Sequence, residues 1–290
     1  MKSTQKIPPD MHLPRYSCSD PDSIQEFQNM VLTCYADHGR DLPWRKTTDP
    51  YRILVSEIML QQTQVERVIQ KYPVFLEAFP DFASLAMAHL PDVLSVWQGM
   101  GYNRRAIALR KCAIRVMAEF GGQLPADAGI LATFPGIGRA TASSICAFAF
   151  NQPVIFIETN IRRVFIHFFF GNREMVTDAE ILPLAGLALY QKDPRTWYNA
   201  LMDLGTNLRT KVPNLNRRSS HYARQPAFEG SDRKIRGRIL KLLLSEKRMT
   251  KKAIVAKFSD DPSRILRIIA DLEDEGFIIR SGSFVSIAPH

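Results

Sequence analysis

Apolar residues recur at helical spacing along most of the chain. One such stretch consists of Val65, Val68, Ile69, Tyr72, Phe75 and Phe79. Because gaps of mostly three and four residues place side chains on one face of a helix, this stretch predicts an amphipathic helix. Sustained alternation of apolar and polar residues, the pattern of a half-buried strand, is scarce. The pattern therefore predicts that residues 22–207 fold as helices.

Capping signals mark several helix boundaries. Thr63 and Thr177 are each followed three residues later by a Glu. At this spacing the hydroxyl and the carboxylate cap each other's backbone amides, so we expect a helix to begin after each threonine. Gly121 and Gly122 predict the end of a helix that runs over about 104–120.

The periodic pattern lapses at residues 208–232, which are rich in Asn, Ser, Arg and Pro and predict a linker. Beyond it, three helical segments precede two apolar strands that flank Ser281-Gly282. This order predicts a winged-helix module at 233–290, after an N-terminal tail at 1–21 and a helical domain at 22–207. Winged helices bind DNA through the third helix or dock proteins, and both roles stay open. The third helix carries Arg264 and Arg267 early and acidic residues late, so only its first turns suit a phosphate backbone.

Composition narrows the class of protein. The chain has 290 residues, of which 46% are hydrophobic, and this suits a globular protein of two or three domains. No stretch approaches the roughly 18 apolar residues of a membrane helix, and the first residues lack the apolar run of a signal peptide. We therefore expect a cytoplasmic, nucleoid-associated protein with no membrane partner. The four cysteines, Cys18, Cys34, Cys112 and Cys146, are scattered, which predicts buried thiols and no metal site.

The positive charge is concentrated in one region. The formal net charge is +9, and residues 209–248 hold twelve Lys or Arg against three acidic residues. A clustered excess of this kind releases counterions from phosphates, which favours a nucleic-acid partner. A solvated linker explains the cluster equally well.

The sharpest local motif is Phe134-Pro-Gly-Ile-Gly-Arg-Ala-Thr141, which lies between two helical segments. It predicts a helix-hairpin-helix. Gly136 and Gly138 allow close approach of the backbone to a ligand, and the amides around Arg139 and Thr141 open the second helix as donors to a phosphate. The alternative is a plain interhelical turn with glycines for steric reasons.

Six motifs occur in a fixed order. They are LPWR at 42–45, DPY at 49–51, SEIMLQQTQV at 56–65, GMGY at 99–102, FPGIGRATA at 134–142 and MDLG at 202–205. Together they resemble the MutY-type adenine DNA glycosylases of the helix-hairpin-helix superfamily, over residues 40 to about 207. The resemblance implies an all-α, two-lobed glycosylase fold, followed here by the winged-helix module. It also implies an enzyme that hydrolyses the N-glycosidic bond of an extruded, mispaired base in duplex DNA, with adenine opposite 8-oxoguanine or guanine as the leading substrate.

Glu57 is the first candidate catalytic residue. Its neighbours between Ile53 and Met59 are mostly apolar, and burial raises the pKa of a carboxyl group. A carboxyl held protonated near neutral pH can donate to a purine nitrogen and improve the leaving base. A surface Glu on an amphipathic helix is the alternative. The resemblance assigns the acid role to Glu57 and implies that Trp44 and Arg45 line the base pocket.

Gln61, Gln62 and Thr63 form a polar corner between two helices. The resemblance implies that these residues contact DNA and that Gln62 fills the gap left by the extruded base. It also implies that Tyr102 wedges beside the base on the opposite strand. A polar cluster at a helix end is the alternative.

The second candidate carboxylate departs from the family pattern. Where the family has Asp-Gly-Asn, this chain has Glu158-Thr159-Asn160, and Asn160 is a predicted DNA contact. An ionised carboxylate stabilises the oxocarbenium-like sugar that remains when the base leaves. Glu keeps this charge but adds one methylene, and a misplacement of that size is costly. The alternative is a helix N-terminal Glu favoured by the macrodipole.

Three absences bear on the chemistry. Ala140 stands where bifunctional relatives carry a Lys, which predicts hydrolysis without AP-lyase activity. No cysteine follows the MDLG motif, which predicts that the family's iron-sulfur cluster is absent and that no cofactor is used. A winged helix replaces the family's Nudix-like domain, and it is a candidate docking site for a repair protein. Mismatched thymine or a deaminated base therefore stays open as the substrate, as does a catalytically inactive DNA-binding protein.

Overall fold

The computed structural model describes residues 16–171, 173–211, 215–220 and 229–289. The α-helices are α1 (Pro21–His38), α2 (Pro50–Leu60), α3 (Val65–Ala78), α4 (Phe82–Met87), α5 (Leu90–Trp97), α6 (Arg104–Glu119), α7 (Ala128–Leu131), α8 (Arg139–Phe150), α9 (Thr159–Phe169), α10 (Asp178–Leu187), α11 (Pro194–Lys211), α12 (Asp232–Glu246), α13 (Lys251–Val255) and α14 (Pro262–Asp274). The strands are β1 (Arg248–Thr250), β2 (Ile278–Ser281) and β3 (Phe284–Ile287). The helical course predicted for residues 22–207 is confirmed for the part that the structure describes.

The chain folds as two compact units. Of the described residues, unit 1 comprises 16–53, 125–133, 137–171, 173–211 and 215–220, and unit 2 comprises 54–124, 134–136 and 229–289. Of the helices in the described ranges, none combines the length and the apolar character needed to cross a bilayer.

The core of unit 1 is built around Phe27 of α1. Its ring lies 4.9 Å from that of Phe169 and 5.8 Å from that of Phe165 on α9, and 5.9 Å from Trp197 on α11. Phe27 and Phe165 are fully buried. Because aromatic side chains remove large apolar areas from water, this cluster fixes α1, α9 and α11 against one another.

Unit 2 contains α3 to α6, with Phe75 packed edge-on against Trp97 at 5.7 Å. On α3, Val68, Tyr72, Phe75 and Phe79 are buried as predicted, whereas Ile69 is 38% exposed. Ile69 immediately follows Val68, so it lies about 100° round the helix and reaches only the edge of the buried face.

The C-terminal module, residues 232–289, also lies in unit 2. Its helices α12, α13 and α14 pack with an antiparallel sheet of strand order β1-β3-β2, the element order of a winged helix. The sheet has a third strand, β1, that the sequence pattern missed. The hairpin loop is Gly282-Ser283, one residue later than predicted, because Ser281 pairs with Phe284.

The two predicted threonine caps have different outcomes. Thr177 forms the capping box with Glu180 at the start of α10. The prediction for Thr63 is wrong, because α3 begins at Val65 with Gln64 at the N-cap and no side-chain cap. The Thr63 hydroxyl instead accepts a hydrogen bond from Arg105, at 3.0 Å.

Candidate active site

Glu57 lies in the second half of α2, in unit 2, and is half-buried. Its neighbours Val55, Ser56, Ile58 and Met59 are each at most 1% exposed. This environment differs from the open surface that an ordinary amphipathic-helix Glu occupies. Glu57 therefore lies at the edge of the buried face of α2, and its acid role stays a prediction.

The two residues predicted to enter DNA have unusual backbones. Gln62 has a φ of +54° and Tyr102 has a φ of +47°, in the left-handed region that favours glycine. Only two other non-glycine residues in the described ranges have positive φ, Asn151 and Lys247, and both are helix C-caps, where this conformation is common. Gln62 and Tyr102 lie in loops, where such a conformation costs on the order of 1–3 kcal/mol and persists only if the surroundings impose it.

A buried arginine, Arg105 of α6, imposes it. The two terminal nitrogens of its guanidinium, which share four N–H groups, lie within hydrogen-bonding distance of six acceptors in the two loops and the end of α2. The acceptors are the carbonyls of Ile58, Met59, Gln61, Met100 and Gly101 and the hydroxyl of Thr63. Its central carbon also lies 5.2 Å from the centre of the Tyr102 ring. Burial lowers the pKa of Arg105 to about 10, so the group is still charged at neutral pH and joins both loops in unit 2.

Sequence reasoning missed Arg105, although a signal was present. Arg105 occupies the same helix face as Leu109, Cys112 and Val116, all of which are buried. A charged residue in an apolar periodic series requires a set of internal acceptors, because burying an unpaired charge is costly.

The two glycines of the hairpin have different reasons to be glycine. Gly136 has a φ of +74°, and a Cβ atom there would lie 2.8 Å from the Cβ of Ala108. Its carbonyl accepts a hydrogen bond from the Gln61 side chain at 3.2 Å. The steric explanation therefore suffices for Gly136.

Gly138 is different, because neither its conformation nor its packing calls for glycine. Its φ is −84°, and a Cβ atom there would have no neighbour within 4 Å. Gly138 is the N-cap of α8, followed by exposed Arg139 and half-buried Thr141. Glycine is among the residues favoured at an N-cap, and the binding of a phosphate by the first amides of α8 stays a prediction.

Glu158 is the N-cap of α9 in unit 1. Its Oε1 accepts the amide of Asn160 at 2.6 Å and that of Ile161 at 3.0 Å. Burial raises the pKa of the Glu158 carboxyl, while the two amides and the charges of Arg163 and Arg162 act in the opposite direction. Glu158 therefore has the helix-capping role proposed as the alternative. The same contacts fix its carboxylate in one orientation, so a chemical role is compatible with the cap.

The other residues at this helix start are held by the MDLG segment. The Asn160 side-chain oxygen accepts from Arg163 at 2.9 Å, and Arg163 also donates to the Gly205 carbonyl at 2.6 Å. A Cβ atom on Gly205 would lie 2.4 Å from the carbonyl oxygen of Asn160. The glycine of this motif therefore allows α11 to approach the first turn of α9. Arg163 was another residue that sequence reasoning missed.

Arg45 forms a buried ion pair with the acidic residue of the same motif. Its two terminal nitrogens each lie 2.8 Å from an oxygen of Asp203, which also accepts from Nε of Arg40 at 2.6 Å. Burial alone raises the pKa of Asp203, but the hydrogen bonds and charge of Arg45, together with Arg40, lower it below its ordinary value. Trp44 is buried as well. The contacts give Arg45 a structural role, and the base-pocket role of Trp44 and Arg45 stays a prediction.

The four cysteines differ in exposure. Cys112 and Cys146 are buried as predicted, and burial raises their pKa values to about 12 and about 11. Cys34 is half-buried and Cys18 is exposed, so the prediction of a buried thiol is wrong for Cys18. The Cys112 thiol donates to the carbonyl of Pro135 at 3.2 Å. Among the residues that the structure describes, no group of three or more His, Cys, Asp or Glu is placed to hold a metal. The predicted absence of the cluster continues to rest on the sequence.

Some of the C-terminal cations that are predicted to contact DNA form ion pairs within the protein. Arg264 and Arg267 at the start of α14 both pair with Asp232, at 2.6 and 2.7 Å. In the basic segment, Arg209 and Arg217 are exposed, while Arg224 lies outside the described residues.

Comparison with known proteins identifies related DNA repair proteins. A profile described as "HhH-GPD superfamily base excision DNA repair protein" matches residues 55–182. The adenine DNA glycosylase of Mycobacterium tuberculosis is 33% identical over 253 residues, covering 80% of this chain and 82% of that protein. The adenine DNA glycosylase of Homo sapiens is 34% identical over 203 residues, covering 66% of this chain and 37% of that protein.

Solved structures give the same fold. A thermostable thymine-DNA glycosylase matches with a TM-score of 0.59 and 27% identity, over 63% of this chain and 85% of that one. A trapped endonuclease III–DNA covalent intermediate matches with a TM-score of 0.53 and 17% identity, over 63% of this chain and 84% of that one. The second similarity supports the fold alone.

Proposed function

Since the chain belongs to the adenine DNA glycosylase family, within the HhH-GPD superfamily of base excision DNA repair proteins, we propose that it excises mispaired adenine from duplex DNA. The observation that carries the proposal is the pair of loops joined by Arg105, each with a left-handed residue at the position predicted to enter the duplex. A glycosidic bond inside the base stack is out of reach of any side chain, so a glycosylase must extrude the nucleotide and fill the space left behind.

The two carboxyl groups have complementary parts in the proposed reaction. Glu57 donates its proton to a ring nitrogen of the extruded adenine, so that the electron pair of the breaking C–N bond leaves with a neutral base. The ionised Glu158 stabilises the positive charge that develops on the sugar. Water then attacks the sugar carbon, and its proton returns to a carboxylate. The products are free adenine and an abasic strand.

Ala140 determines whether the strand is also cut. It is exposed, and it is the second residue of α8. Without an amine at this position no Schiff base forms with the sugar. The proposed enzyme therefore hydrolyses the N-glycosidic bond and leaves the DNA strand intact.

A single-turnover panel of duplexes tests the proposal. The duplexes carry adenine, thymine, uracil or hypoxanthine opposite guanine or 8-oxoguanine, and each product is analysed with and without alkali. We expect excision of adenine, with strand breaks only after alkali. Breaks without alkali would contradict the hydrolytic mechanism, and tight binding without any excision would support an inactive DNA-binding protein.

Two variants test the catalytic assignments. We expect Glu57→Gln to bind the mispaired duplex without excising the base, because the amide has no proton to transfer. We expect Glu158→Asp to keep measurable activity, because it keeps the charge. Normal excision by Glu57→Gln would exclude Glu57 as the acid.

Mismatched thymine is a second candidate substrate. The observation in its favour is the 27% identity and TM-score of 0.59 with a thymine-DNA glycosylase. Excision of thymine, with adenine left intact in the same panel, would establish this alternative. Docking of a repair protein on the winged-helix module stays a prediction.

A further inference from the structure

The C-terminal module contacts the predicted wedge residue directly. Arg233, the second residue of α12, places its guanidinium carbon 4.8 Å from the centre of the Tyr102 ring, and its Nη1 donates a hydrogen bond to the Tyr102 hydroxyl. The guanidinium of Arg105 lies 5.2 Å from the same ring. One arginine from α6 and one from the C-terminal module therefore hold the same tyrosine.

A second contact fixes the module beside this loop. Glu275, just after α14, accepts two hydrogen bonds from Arg104, at 2.7 and 2.5 Å, and also pairs with Arg236 of α12. Hydrogen bonding to Arg104, together with Arg236, lowers the pKa of Glu275, so the carboxylate is ionised at neutral pH. Arg104 lies two residues after Tyr102. The module thus contacts the loop both at the wedge residue and at the start of the following helix.

The cations that a winged helix ordinarily presents to phosphates are neutralised within this module. Arg264 and Arg267 of α14 both pair with Asp232, the residue before Arg233. The hydrogen bonds to Arg267 and Arg264 lower the pKa of Asp232, which keeps these pairs charged. The third helix is therefore less suited to DNA than its sequence suggests, whereas α12 directs an arginine at Tyr102.

We propose that the C-terminal module sets the position of the Tyr102 side chain, with Arg233 as the positioning residue. Arg105 binds the Gly101 carbonyl next to the left-handed Tyr102 backbone, whereas Arg233 contacts the Tyr102 ring and hydroxyl. A cation over the ring and a donor on the hydroxyl hold the side chain in one place before DNA arrives. Such preorganisation reduces the ordering cost of inserting the ring beside the base opposite the target. The inference rests on the proposed function, in which Tyr102 wedges into the duplex.

The test uses Arg233→Ala in the full chain, with Arg280→Ala as the matched control. Arg280 is exposed on β2 of the same module and lies outside the basic cluster at 209–248, so its replacement removes the same side chain and charge. The duplex carries adenine opposite 8-oxoguanine, with a fluorescent cytosine analogue beside the 8-oxoguanine to report local unstacking. Arg233→Ala loses the cation–π contact and the hydrogen bond to Tyr102. We therefore expect its single-turnover rate and its equilibrium constant for unstacking to be about tenfold lower than those of the wild type. Arg280→Ala should match the wild type in both, and the two variants should bind an undamaged duplex equally.

A mutant cycle shows whether Arg233 acts through the tyrosine. In a Tyr102→Ala background, adding Arg233→Ala should change neither quantity further, and Arg233→Lys should recover part of the unstacking that Arg233→Ala loses. Additive effects in the cycle, or equal behaviour of Arg233→Ala and Arg280→Ala, would overturn the inference. If Arg233→Ala unfolds, the comparison of Arg233→Lys with the wild type in both Tyr102 backgrounds decides instead.

The two proposals fail in different ways. Adenine excision that is insensitive to Arg233 refutes the inference and leaves the proposed function in place. Arg233-dependent unstacking without excision of any base refutes the proposed function and supports the inference. A wild-type protein that neither unstacks nor excises refutes both.

Discussion

Replacing Arg105 with Met tests whether one buried cation organises both of the loops that are predicted to contact DNA. Methionine has a similar unbranched stem but cannot donate hydrogen bonds to the six acceptors of the guanidinium. Three of those bonds, to the carbonyls of Ile58, Met59 and Met100, are buried, and the other three are partly exposed. Water can replace the arginine at the exposed acceptors but not at the buried ones.

The size of the effect follows from the buried part of this network. At about 1.5–3 kcal/mol for each bond to a charged group, three buried bonds sum to roughly 4.5–9 kcal/mol, and partial relaxation of the loops reduces the total. Each buried carbonyl that is left without a donor costs about 1–3 kcal/mol, so we expect a loss of roughly 3 kcal/mol or more in the free energy of unfolding. Such a loss is a large share of the roughly 5–15 kcal/mol by which native proteins are stable.

Urea unfolding of wild type, Arg105→Met and Arg105→Lys measures this free energy. Lysine keeps the charge but has three donors without the fork geometry of the guanidinium, so its variant should fall between the other two. Single-turnover excision, at a temperature where all three are folded, should decrease in the same order because both loops lose their anchor. An unfolding free energy for Arg105→Met within about 1 kcal/mol of the wild type would refute the reasoning, since a change of that size is ordinary for a single substitution.

Three further predictions concern unit 1. Burial raises the folded-state pKa of Glu158, so its contribution to stability is fully present below the ordinary pKa and is lost as the pH rises through the raised one. Glu158→Gln should therefore be more stable than the wild type at pH 7, equally stable at acid pH, and unable to excise the base. Urea titrations measure this stability, and a Glu158→Gln protein less stable than the wild type at pH 7 would show that the carboxylate is stabilising. Gly205→Ala should lower the free energy of unfolding by about 3 kcal/mol or more, because its Cβ would lie 2.4 Å from a backbone oxygen. The control Gly237→Ala has open space around its Cβ, so it should be neutral or stabilising in thermal unfolding. Asp203→Asn leaves Arg45 buried without its charge partner and should lower the unfolding free energy by about 3–5 kcal/mol; a loss below about 1 kcal/mol would contradict the ion-pair argument.

The sequence predicted local features well where local chemistry decides the outcome. The helical period, the Thr177 capping box and the glycine stop after α6 all follow from interactions between residues a few positions apart. Thr63 has the same signature as Thr177, but its hydroxyl is engaged by Arg105, 42 positions away. A pattern that spans four residues does not contain that partner.

The candidate site shows the same difference between features set by neighbouring residues and contacts made by residues distant in the sequence. Motif resemblance located Glu57, Gln62, Tyr102 and Glu158, but not the residues that hold them in place. Arg105 and Arg163 bind mostly carbonyl groups, and every residue has a carbonyl, so the periodic pattern can mark Arg105 as buried without identifying its partners. The strand β1, with three residues, is too short to show an alternating pattern.

The cap at the start of α9 has a consequence for which substitutions Glu158 tolerates. Neutral caps such as Ser, Thr or Asn can also accept the amides of a first helical turn, so they should preserve the fold. Only an acid preserves the negative charge. A library with all amino acids at this position can be selected once for soluble expression and once for suppression of mutation in cells. The two selections should retain different sets of residues. Residues that pass only the first preserve the fold but not the proposed catalytic role of Glu158.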